Sequence, residues 1–230
     1  MKPYEVEVCV DSAESALEAE RLGADRVELC ARLDLDGLTP SPELIARTRA
    51  AISIGLHVII RPREGDFHYT ASELDVMCDS IRMALDLGAD GIVSGALTAD
   101  QRLDLDATTR LIKAAQGKTF TFHRAFDVCQ QPLVALAALD KLGVQRLLSS
   151  GQAPKAIEGV ATLQRLVDTK STTAIMAGSG VNADNIPALW EAGIRQFHFT
   201  SHRPGPSGQN VFDSEKTQRA IETLNRLCAR

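Results

Sequence analysis

The sequence predicts an α/β fold, a single closed (β/α)8 barrel of the TIM type spanning residues 1–230. Three observations predict it. Related phrases recur at Leu22-Gly23-Ala24-Asp25, Leu87-Gly88-Ala89-Asp90, Leu142-Gly143-Val144-Gln145 and Ala192-Gly193-Ile194-Arg195. Each follows an amphipathic stretch and precedes an apolar run, the pattern of a helix that stops on a left-handed glycine and feeds a strand. Strand-like and helix-like segments also alternate strictly, which implies parallel strands joined by helical crossovers. Finally, a chain of 230 residues with 44% hydrophobic content suits an α/β barrel, which takes about 200–250 residues as one domain.

The elements follow in order. A first strand near 5–10 turns Val6, Val8 and Val10 toward the helices, leaving Glu5, Glu7, Cys9 and Asp11 on the inner face. A helix near 13–22 follows. The second strand, near 25–30, puts Val27 and Leu29 outward and Arg26, Glu28 and Cys30 inward, before a helix near 42–53. The third, near 56–61, puts Val58 and Ile60 outward and His57, Ile59, Arg61 and then Arg63 inward, before a helix near 70–87. A fourth strand near 90–95 precedes a helix near 104–116. The fifth strand, near 118–123, lies in KTFTFHRAFD. Phe120 and Phe122 share one face, Thr119, Thr121 and His123 the other, and a helix near 131–142 follows. Strands near 145–150 and 172–177 alternate with helices near 154–169 and 183–192. The eighth strand, near 195–200, turns Phe197 and Phe199 outward and Gln196, His198 and Thr200 inward, and a helix near 213–228 ends the pattern. RPGPSGQN, residues 203–210, reads as the loop between the last strand and the last helix. A doubly wound open sheet is the competing topology, but the first strand ends in Cys9-Val10-Asp11 without the glycine fingerprint such sheets carry.

Composition narrows the partners. A net charge of −5 and a pI near 5.6 argue against nucleic acid and anionic membranes, which select a basic face. No apolar run reaches the ~18 residues of a membrane span, and the N-terminus already reads as a strand, so the expected location is cytoplasmic. The five cysteines are scattered and form no CxxC pair. They are expected to be reduced.

The inner face is charged. Buried charges need partners, and Glu7 and Glu28 are expected to find them in Arg26, Arg61 and His123. Such a cluster is either a structural ion-pair layer or a site. Its concentration at the C-terminal strand ends, where barrels of this type carry their chemistry, favours a site. In that reading Glu7 or Glu28 with His123 supplies acid–base chemistry. Arg61 and Arg63 clamp an anionic group, and Arg124 and Asp127 extend the cluster. Gly178-Ser179-Gly180 and Thr200-Ser201 offer backbone donors to an anion. The ligand is then a small phosphorylated or carboxylated compound, acted on by a lyase or isomerase type of reaction. No lysine falls at an inward C-terminal strand end, which disfavours a Schiff base. Cys9 and Cys30 sit at matching positions on adjacent strands, about 4.8 Å apart. They are either two small buried residues or ligands for a soft ion such as Cu(I).

EVCVDS (7–12), VELCARL (27–33), DGLTPS (36–41), IIRPREGDFHYT (59–70), GADGIVSGAL (88–97), TFHRAFD (121–127), SSGQ (149–152) and AGSGVNADN (177–185) together resemble the CutC copper homeostasis family over essentially the whole chain. The resemblance implies a cytoplasmic TIM barrel, a homodimer, a role in copper homeostasis, and Cys9 and Cys30 as Cu(I) ligands. The sequence departs from the family pattern at Asp36, where the first of two glycines is usual, and at Ser149, where threonine is usual. Its C-terminal part is also short.

Overall fold

Glycine ends four of the helices in the way the repeated phrase requires. Gly23, Gly88, Gly143 and Gly193 hold φ of 95°, 93°, 72° and 86°, the left-handed conformation that a side chain resists. They follow α1 (Ala13–Arg21), α3 (Ala71–Asp86), α5 (Pro132–Lys141) and α7 (Ile186–Glu191). Helix starts are signalled as clearly. Ser12, Ser41, Thr70 and Asp104 accept hydrogen bonds from backbone N–H groups three residues on. Thr70 and Glu73 complete a reciprocal capping box. The other helices are α2 (Pro42–Ala51), α4 (Leu105–Ala114), α6 (Val160–Asp168) and α8 (Ser214–Cys228).

The computed structural model describes residues 2–204 and 210–229. Its eight parallel strands close in sequence order: β1 (Glu5–Val10), β2 (Arg26–Leu29), β3 (Gly55–Ile59), β4 (Gly91–Ser94), β5 (Thr119–Phe122), β6 (Arg146–Ser149), β7 (Ala174–Ala177) and β8 (Gln196–Thr200). Closure is made by β1 against β8, with Glu7 opposite His198 and Cys9 opposite Thr200. The apolar strand residues Val6, Val8, Val27, Leu29, Val58, Phe120, Phe122, Phe197 and Phe199 pack beneath the helices as the main core. No helix among the described residues is long and apolar enough to cross a membrane.

Three expectations about local structure change. The sixth helix begins at Val160, not near 154, because a tight double turn consumes the preceding residues. There the backbones of Gly151 and Gly159 touch, and a Cβ on Gly151 would lie 2.2 Å from the Gly159 carbonyl oxygen. The seventh helix starts at Ile186, with Pro187 in its first turn and the 182–185 segment folded back on the Asn182 and Asn185 side chains. The stretch read as a loop at 203–210 is flanked by a short antiparallel ribbon, β9 (His202–Pro204) with β10 (Asn210–Phe212). Residues 205–209 of that stretch lie outside the described residues. Asp36 occupies a left-handed conformation (φ 60°) just before Gly37 (φ 86°), a backbone region that aspartate enters at less cost than most side chains.

Candidate functional site

Alternation along β1, β2 and β8 stacks polar groups in layers inside the barrel. In the lowest layer Arg26 donates to Glu5 Oε2 (2.5 Å) and to Gln196 Oε1 (3.2 Å), and Arg146 donates to the same glutamine (3.1 Å). Above it lies Glu7, wholly buried, which accepts from Arg26 Nε (2.6 Å) and pairs with His198 Nδ1 (2.8 Å); His57 Nδ1 stands 3.4 Å away. The next layer is the floor of a cavity of about 510 Å³ at the C-terminal end of the strands, where Cys9, Glu28, Cys30 and His198 are exposed to it. The two cysteine sulfurs lie 3.5 Å apart and His198 Nε2 lies 3.6 Å from Glu28 Oε2. The two cysteines do not hold the matching positions expected: Cys9 stands opposite Glu28, and Cys30 lies two residues further along, past the end of β2, where its N–H donates to the Val10 carbonyl oxygen. Gly37 leaves room for its sulfur, since a Cβ there would come within 3.3 Å.

The layers divide the protons unequally. Burial alone would raise the Glu7 carboxyl, but the Arg26 charge, the hydrogen bond to His198 and the nearby His57 ring hold it well below the usual range. Burial would likewise neutralise His198, yet its contacts with Cys9 and Glu7 and the charge of Glu28 raise it well above an ordinary imidazole. A hydrogen bond from Cys30 is the main reason the Cys9 thiol drops to about 5, with His198 adding to the effect. The same bond, with burial, pushes Cys30 up. Glu28 is raised by burial and by the neighbouring Cys9 charge. At neutral pH the floor is therefore a Cys9 thiolate beside the His198 imidazolium, with Cys30 protonated and Glu28 the group inclined to keep its proton.

The walls come from the loops. Arg61 donates to the carbonyl oxygens of Leu35 (2.8 Å), Gly37 (3.3 Å) and Gly65 (3.2 Å), tying two loops together across the Phe67 ring. His123 follows β5 and accepts from the Ala125 N–H at Nδ1 (3.3 Å), which leaves its proton on Nε2. Burial, with the Arg61 charge, lowers this imidazole to about 3. Its ring occupies space left by Gly95, where a Cβ would be 2.9 Å from Nδ1. Asp127 accepts from Arg124 Nε (2.8 Å), the Ser149 hydroxyl (2.6 Å) and the N–H groups of Ser150 (3.0 Å) and Gln152 (3.2 Å). Ser179, Gly180, Val181, Thr200 and Lys216 complete the rim.

Of the residues singled out in the sequence, the structure gathers Cys9, Cys30, Glu28, Arg61, His123, Arg124, Asp127, Ser179, Gly180 and Thr200 around the one cavity. Four lie elsewhere. Glu7 sits a layer below the floor. Arg63 turns away to Glu73 (2.6 Å) and Asp66 (3.0 Å), because its alternation is lost once β3 ends at Ile59. Gly178 packs against Leu148 and His198 from beneath, and Ser201 is wholly buried off the wall. The expected pairing of the two glutamates with Arg61 and His123 does not form; Arg26 and three imidazole contacts take that role.

Two groups of the cavity, one on its floor and one on its rim, escape the sequence reading. His198 was placed inward by QFHFT but given no role, although its register opposite Glu7 is what makes it central. Lys216 reaches the rim from the first turn of α8, where Asp213 caps the helix. Counting only strand-end lysines hid it.

Comparison with known proteins agrees with this architecture. The CutC family profile matches residues 4–203. A family protein CutC from Klebsiella pneumoniae is 44% identical over 202 residues, covering 88% of this chain and 82% of that protein. One from Glaesserella parasuis is 41% identical over 241 aligned residues, covering 96% and 99%. Among solved structures, a candidate copper homeostasis protein CutC from Streptococcus agalactiae superposes with a TM-score of 0.81 at 32% identity, covering 85% of this chain and 98% of that one. Phosphoribosyl anthranilate isomerase from Thermus thermophilus shares the fold alone, with a TM-score of 0.65 at 15% identity over 97% of this chain and 99% of its own.

Proposed function

The chain belongs to the CutC family, and from that premise we propose that it serves copper homeostasis by binding Cu(I) as cargo through Cys9 and Cys30. One observation carries the reading. Two sulfurs stand 3.5 Å apart on the floor of an open cavity, and the hydrogen bond from Cys30, with the neighbouring His198, lowers the Cys9 thiol to about 5. Soft thiolates select Cu(I) over harder cations, and the thiolate is the ligating form. Glu28 stands close enough to join them, since one oxygen of it and the two sulfurs lie within 4.8 Å of one another. Binding through both sulfurs releases the Cys30 proton, so affinity rises with pH. In this reading the protein is one cytoplasmic domain over residues 1–230 and acts as a homodimer.

Anaerobic competition titration of reduced protein with Cu(I) tests it. Cys9→Ser/Cys30→Ser is expected to lose at least about a hundredfold in affinity, near 2.7 kcal/mol. Equal affinity in the double variant and the parent would remove the proposal.

A second reading rests on the size of the cavity. About 510 Å³ is far more than a bare ion fills and falls in the range of small-molecule sites. Arg61, His123, Arg124 and Lys216 stand on its walls. This suits an enzyme of the lyase or isomerase type that holds a small anionic compound over Glu28 and His198, with Glu28 as acid and His123 as a neutral hydrogen-bond donor. Turnover of such a compound abolished by Glu28→Gln, with Cu(I) affinity retained, would favour it.

A further inference from the structure

The cavity joins two chemically different walls. Over β1 to β3 it presents Cys9, Glu28, Cys30 and Arg61. Over β5 to β8 it presents Arg124, Ser179, Gly180, Val181, Thr200 and Lys216. On this second wall donors are in surplus. The N–H groups of Ser179, Gly180 and Val181 find no acceptor among the described residues. Lys216 Nζ donates to the Thr200 carbonyl oxygen (2.7 Å) and meets no carboxylate among the described residues. Arg124 uses Nε on Asp127 and one terminal nitrogen on Ser150 Oγ (3.3 Å), leaving the other terminal nitrogen without a partner among the described residues. Among the described residues Asp127 is the only carboxylate on this wall, and its oxygens are already taken by Ser149, Ser150 and Gln152 as well as Arg124.

We propose that the wall formed by Ser179, Gly180, Val181, Lys216 and Arg124 binds the phosphate group of a small phosphate monoester, whose remainder crosses the cavity toward Cys9 and Glu28. The assignment rests on the second reading above and narrows it, choosing phosphate over carboxylate. Three successive N–H groups, an ammonium and a guanidinium edge are more donors than a carboxylate's two oxygens can accept. A phosphate dianion offers three oxygens and the charge to match. Lysine also suits phosphate as a point charge that needs no planar partner. The sulfur pair and the proposed phosphate donors are different atoms, although β8 pairs directly with β1 and brings Thr200 opposite Cys9.

Calorimetric titration with inorganic phosphate and glycerol phosphate, alongside malonate and glycerol, tests the assignment on the full chain. Glycerol phosphate is expected to bind saturably, and more tightly than malonate. Lys216→Met should weaken it at least about tenfold, and Lys216→Arg should restore most of the loss. Thermal unfolding and Cu(I) affinity should stay as in the parent for both variants. Tighter binding of malonate than of either phosphate overturns the choice of phosphate while supporting an anionic ligand in the cavity. Absence of saturable binding by any of the three anions overturns this inference and the second reading together. Unchanged phosphate affinity in Lys216→Met, with the fold intact, overturns the wall assigned here.

Discussion

His123→Phe should make the protein markedly less sensitive to acid. His123 is buried, with its imidazole lowered from an ordinary 6.5 to about 3 by burial and by Arg61. In the unfolded chain the same ring gains a proton as pH falls through 6.5, so the unfolded state binds more protons throughout this window. Stability from the neutral ring is therefore complete above 6.5 and is lost as pH falls toward 3. A shift of this size, at about 1.36 kcal/mol per unit, amounts to about 5 kcal/mol across the window. Between pH 6.5 and 4.5 the share is about 2 kcal/mol. Phenylalanine keeps the flat ring against Phe67 and Phe122 and cannot titrate. Urea unfolding of both proteins at a series of pH values reads the difference, and subtracting the two curves removes what every other group contributes. Parallel curves would refute the reasoning, as would a His123 ring that titrates near 6.5 by NMR.

Three further outcomes follow from the same geometry. Cys30→Ala removes the hydrogen bond that chiefly lowers Cys9, so the alkylation midpoint of Cys9 should move up from about 5; an unmoved midpoint would show that His198 alone ionises it. Gly95→Ala places a Cβ 2.9 Å from both His123 Nδ1 and Phe122 Cζ, which should cost about 1–3 kcal/mol in chemical denaturation and shift the His123 ring resonances. Arg26→Met leaves Glu7 buried without its guanidinium, for a loss of about 3–5 kcal/mol. Adding Glu7→Gln should recover part of that loss, and failure to do so would mean that packing, not charge, sets the penalty.

The fold was legible because its signals are local. A glycine after each odd-numbered helix and valine or phenylalanine on alternate strand positions act within a few residues, so they survive in the linear chain. The sulfur pair was legible only in part: alternation on neighbouring strands puts both cysteines on the inner face, but it does not set the register, which places Cys9 opposite Glu28 and Cys30 two residues further along. Partnership across the barrel was not. Glu7 meets His198 only because β8 closes against β1, a contact between residues 191 positions apart, and nothing local distinguishes that imidazole from His123. Arg63 misled for the opposite reason: a strand's alternation was extended beyond the point where backbone pairing ends. Lys216 was hidden because its position on the rim depends on where a whole helix starts, not on a strand.

The interlocked Glu5, Arg26, Arg146 and Gln196 plug one end of the barrel. Among the described residues, the sulfurs face the cavity at the other end, which is the route these residues offer for arrival and departure. Under the proposed Cu(I) reading, unloading retraces loading, and a recipient would approach over the same loops through which the ion came in. Rates of delivery would then be governed by how those loops part, and a bulky compound resting at the entrance would act as a stopper for anything beneath it.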